Sequence, residues 1–147
     1  MSEDDELGTW NQQFSSVGFD ELLAEIGSEP RKAVEQVRQW ISEQLSWKPN
    51  LKHYQSSWGW AEGYEGQSEL DAPLCGVFLI PEPERERVAV SFRRSGIGLI
   101  RDAALSKSVR AEVRDGTCVR DIIWVECSLQ TPADAESVCD LLGVLSD

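Results

Sequence analysis

The stretch that most restricts the fold is residues 51–94, where three strand-like runs follow one another between turn-forming segments. Residues 52–60 alternate with period two, which on a single strand puts Tyr54, Ser56, Trp58 and Trp60 on one face and His53, Gln55, Ser57 and Gly59 on the other. All three aromatic rings are then expected on the same side, with His53 turned away. After the turn signals of Gly63, Gly66 and Pro73, residues 74–80 are apolar at successive positions, the pattern of a central strand covered on both faces. Pro81 and Pro83 end that run, and the mixed charges from Glu82 to Arg87 make a solvated turn. Val88, Val90 and Phe92 then form the inward face of a third strand, while Ala89, Ser91 and Arg93 face the other way.

Helical periodicity flanks this core. Phe19, Leu22, Leu23 and Ile26 fall on one face of a short helix that Gly27 ends, and Ser28 and Pro30 begin a second with Val34, Val37, Trp40, Ile41 and Leu45 along one stripe, stopped by Pro49. Beyond the third strand, Ile97, Ile100, Ala104 and Leu105 are the apolar side of one helix, and Val109 and Val113 that of another closed by Gly116. Residues 122–127 supply a fourth strand. Thr131, Pro132 and Asp134 start a last helix with Ala135, Val138, Leu142 and Leu145 as its buried stripe. The expected fold is α+β: a small, mainly antiparallel four-stranded sheet packed by N-terminal, middle and C-terminal helices.

A chain of 147 residues with six Trp is long enough to bury a core as one domain, here residues 9–147. Residues 1–30 hold eight acidic side chains and no Lys or Arg, so most of the net charge of −12 sits at the start, and residues 1–8 are expected to be a flexible acidic tail. Acidity of this size opposes direct nucleic-acid binding and leaves, as an alternative function, an acidic inhibitor that imitates nucleic-acid phosphates. There is no apolar run of membrane-spanning length and no signal-peptide pattern, so no membrane association and a cytoplasmic location are expected. Cys75, Cys118, Cys127 and Cys139 lack C-x-x-C spacing and are expected to be reduced thiols.

No catalytic signature is present. His53 is the sole histidine, which excludes metal sites built on several imidazoles and leaves a small enzyme using His53 as a second alternative; no cofactor or metal is expected. Two constellations suit binding instead. Tyr54, Trp58 and Trp60 offer flat apolar faces for a pocket floor. Arg93, Arg94 and Ser95 precede Gly96, Ile97 and Gly98 at a strand-to-helix junction, where guanidinium groups and unpaired helix N–H groups suit an anion. The expected function is therefore a non-enzymatic binding domain for a small anionic or aromatic ligand, or for a protein partner, with the oligomeric state left open.

Several scattered residues carry a resemblance: Trp47 and Lys48, Trp58 between Ser57 and Gly59, Pro81, the run Val90, Ser91, Phe92, and the helix with Ala103, Ala104, Leu105 and Ser106. With the order of elements, they make residues 47–142 similar to the YdhG-like group of small bacterial domains of unknown function. The resemblance implies a compact α+β fold, an antiparallel sheet and a pocket on one side, and it implies no activity.

Overall fold

In the computed structural model, which describes residues 18–54, 58–66 and 72–146, the aromatic run is cut in two. Asn50–Tyr54 forms β1 and Gly59–Glu65 forms β2, an antiparallel hairpin in which Tyr54 lies opposite Gly59 and His53 opposite Trp60. Gly59 has φ 67°, a left-handed conformation that a residue without Cβ adopts at little cost. The remaining strands are β3 (Leu74–Ile80), β4 (Arg87–Arg93), β5 (Thr117–Val119) and β6 (Ile122–Ser128). They assemble in the order β1-β2-β3-β4-β6-β5 with every neighbouring pair antiparallel. The sheet thus has six strands rather than the expected four, because one expected strand is a hairpin and β5 is too short and too exposed to leave a pattern.

The helices are α1 (Phe19–Leu23), α2 (Ser28–Gln44), α3 (Gly96–Asp102), α4 (Lys107–Arg114) and α5 (Pro132–Ser146). The predicted stripes are the buried ones: Val34, Val37 and Ile41 of α2 and Ala135, Val138, Leu142 and Leu145 of α5 are at most 1% exposed. They meet Val77 and Leu79 of β3, Val88, Val90 and Phe92 of β4, and Val125 and Cys127 of β6 in one core. Helix α2 ends earlier than Pro49 suggests, since Ser46 takes φ 57° and breaks the helical backbone. Thr131 Oγ1 accepts from Asp134 N at 3.1 Å and caps the start of α5.

The other face of the sheet carries a separate cluster made from strand and turn residues: Ala61, Phe78, Ile80 and Ala89, with Tyr54, Trp58 and Trp124 packed on them. All five helices among the described residues contribute to the first core and none of them to this one. No helix among the described residues is long and apolar enough to cross a membrane. The expected acidic tail, residues 1–8, lies wholly outside the described residues.

Candidate functional site

The hairpin redistributes the aromatic candidates. Tyr54 and Trp58 lie on the face opposite the described helices with ring centroids 5.2 Å apart, whereas Trp60 turns to the helix side and is 7% exposed within the main core. His53 accompanies Trp60, edge-on at 5.2 Å. The expectation of three rings on one face with His53 opposite is therefore corrected: pairing Tyr54 with Gly59 reverses which residue numbers share a face. Arg93 alternates onto the face of Phe78 and Ala89, and its Nη1 donates to Ala72 O at 3.4 Å. Arg94 is exposed and donates through Nη2 to Cys118 Sγ at 3.1 Å. Ser95 precedes α3 without a side-chain cap, and a Cβ on Gly96 would stand 2.7 Å from Leu145 Cδ2, so the start of α3 is packed against α5.

A groove opens further along the chain. Helix α3 ends at Ala103 in extended conformation, and Ser106 Oγ accepts from Val109 N at 3.3 Å to begin α4. Arg110 ties this turn, donating through Nε to Leu105 O at 3.3 Å and through Nη2 to Ala103 O. Arg114 stands four residues on, on the same face of α4, and Arg101 comes from the last turn of α3. The three arginines line a groove of about 400 Å³ with Ile97, Ile100, Val113 and Ile123 as its apolar wall and Gly116 and Cys118 beside them. Ile100 and Ile123 are 5% and 8% exposed and belong to the core, Val113 is half-buried, and Ile97 is 37% exposed at the mouth.

Arg101 and Arg114 have side chains 77% and 78% exposed, and their nearest carboxylates, Asp102 and Asp115, are sequence neighbours at 3.9 and 3.8 Å. Such solvated pairs are weak and yield readily to a better anion. Planar guanidinium forks match carboxylate or phosphate oxygens two at a time, and the isoleucines suit a hydrocarbon or aromatic body. Tyr54, Trp58, Trp60 and Arg93 do not line this cavity; Arg94 reaches its border through Cys118. The signal that points to it in the sequence is charge density: residues 93–120 hold seven basic and three acidic side chains, half of all Lys and Arg in a chain of net charge −12.

Other polar clusters are internally satisfied. Glu62, 3% exposed, accepts from Arg38 Nε at 2.8 Å and Nη2 at 3.1 Å and from Tyr64 Oη, which pins α2 to β2. Burial first, then the Glu62 carboxylate, hold the Tyr64 phenol far above its ordinary value. Burial likewise pushes the Cys127 thiol up to about 12 and Cys139 up to about 11, with nearby carboxylates adding to both. Among the described residues, His53 Nδ1 and Trp60 Nε1 are buried without hydrogen-bond partners. Among the described residues no three His, Cys, Asp or Glu side chains gather as a metal-binding group. In comparisons with known proteins, the chain matches no family model, no curated protein and no solved structure.

Proposed function

We propose that the protein is a non-enzymatic binding domain for a small organic anion with an apolar body, held in the groove between α3, α4 and β6. One observation carries this reading: Arg101, Arg110 and Arg114 converge on an isoleucine-walled cavity of about 400 Å³ in a chain that is otherwise strongly acidic. The ligand class is the one expected from the sequence, moved from the Trp58 and Arg93 region to the neighbouring helices. A cytoplasmic location and kinship with YdhG-like domains remain part of the proposal, supported respectively by four unpaired cysteines and by an α+β arrangement with an antiparallel sheet between residues 47 and 142.

The test is calorimetric titration with octyl phosphate, decanoate and 2-naphthoate, each beside a neutral analogue of the same body. At least one anion is expected to bind while its neutral analogue does not. Arg101→Gln/Arg114→Gln is expected to raise the dissociation constant at least tenfold, a loss of about 1.4 kcal/mol, with an unchanged urea midpoint because both side chains are exposed. Equal binding by the double variant, or no binding by any of the anions, overturns the reading.

A further inference from the structure

The turn at Gly116 has a second cavity beside it, and its chemistry is the inverse of the arginine groove. About 270 Å³ in volume, it is walled by Trp58 and Trp124, floored by Ala89 and rimmed by Glu112, Asp115 and Glu126. The two indole rings stand with centroids 6.0 Å apart at 54°, and Trp124 also packs on Phe78 at 5.7 Å, so a rigid aromatic layer supports the wall. A Cβ at Gly116 would lie 3.0 Å from the backbone carbonyl oxygen of Trp124, so the turn after α4 runs close against β6.

We propose that this cleft binds an organic cation, a guanidinium or alkylated ammonium group, against the wall that Trp58 and Trp124 form together. Indole faces attract cations through their quadrupole, and most strongly when the cation is too poorly hydrated to prefer water. The rim adds charge of the matching sign. Glu126 shares its carboxylate with Arg87 Nε at 3.0 Å, while Asp115 has only the solvated Arg114 at 3.8 Å and Glu112 has no ion pair among the described residues. Glu112 and Asp115 therefore supply the attraction, and the tryptophans select a cation with an apolar surface over a hydrated metal ion. The site is separate from the arginine groove, with Gly116 as the residue common to both cavities.

Tryptophan fluorescence separates the outcomes, with choline and ethylguanidinium as probes and 3,3-dimethylbutanol as the neutral isostere of choline. Saturable quenching by at least one cation and none by the alcohol is expected. Glu112→Gln/Asp115→Asn, which changes exposed side chains and leaves the core intact, is expected to weaken binding about tenfold, and 0.5 M salt to do so in the same direction. Arg101→Gln, whose only carboxylate neighbour among the described residues is Asp102 and which lies outside this cavity, should leave it unchanged, so failure of the anion site and of this one are distinguishable. Binding of the alcohol as tightly as choline, an unaffected double variant, or no quenching by either cation overturns the proposal.

Discussion

Phe78 lies flat across the sheet because two of its neighbours have no side chain. A Cβ at Gly76 would stand 2.9 Å from Phe78 Cε2 and 3.1 Å from Ser91 Oγ, and one at Gly63 would meet Cδ1 and Cε1 at 3.0 Å each. Replacing a strand glycine by alanine ordinarily gains about 0.5–1 kcal/mol from a less mobile unfolded chain. Overpacking a ring that is 4% exposed costs about 1–3 kcal/mol, so the steric effect wins. Gly76→Ala is expected to lower the urea midpoint, and Phe78→Leu to recover part of the loss in the double variant, giving a coupling of at least about 0.5 kcal/mol in a double-mutant cycle. Additive losses would show that Phe78 does not press on Gly76.

At the level of elements, α4 has eight residues and brings Arg110 and Arg114 to the groove, and a helix that short depends on its cap and its packing. Ser106→Ala removes the acceptor of Val109 N and is expected to cost about 1 kcal/mol locally. Amide exchange at Arg110 and at Ala111 to Arg114 should accelerate about fivefold, that free energy expressed as a rate, while β4 amides stay protected; unchanged exchange in α4 would show that the cap does not limit its opening. Elements of this kind were legible in proportion to their periodicity. The stripes of α2 and α5 and the alternation of Val88, Val90 and Phe92 each bury one continuous face, and that is what a sequence pattern records. The β1-β2 hairpin escaped because residues 52–60 keep alternating through the turn, so no break in period marks it. Tyr54 pairs with Gly59, and the odd sum of paired numbers puts even residues of β1 beside odd residues of β2, which sends Trp60 to the opposite face from Tyr54. Of the groove, only the excess of arginine between residues 93 and 120 was readable. Its convergence depends on the α3–α4 turn that Arg110 ties, a tertiary feature without a local pattern.

At the scale of the whole fold, the described residues make one sheet with their helices on one side and an aromatic layer on the other, and the largest titration effects lie beneath those helices. Cys127 is 3% exposed between β6, α4 and α5, and burial, reinforced by Glu112, Asp134 and Glu126, raises its thiol to about 12. Cys139 and Tyr64 are raised for the same reason. In the unfolded chain a thiol ionises near about 8.5 and a phenol near about 10. Each folded-state value therefore lies above its unfolded value, so the folded state holds these protons when the unfolded state has released them. The stability they contribute is fully present below the unfolded values and is lost as pH rises from about 9 through 12. Each tenfold difference in proton affinity between the folded and unfolded chains is worth about 1.4 kcal/mol, so Cys127 alone accounts for a loss on the order of 5 kcal/mol, a large share of a typical domain's stability of about 5–15 kcal/mol. The urea midpoint is expected to hold between about pH 7 and 8.5 and to fall steeply between about pH 9 and 11. Cys127→Ala should start from a lower midpoint, because it leaves a small cavity, and then decline less steeply over the same interval. Parallel declines in the two proteins would place the alkaline sensitivity outside the core thiol.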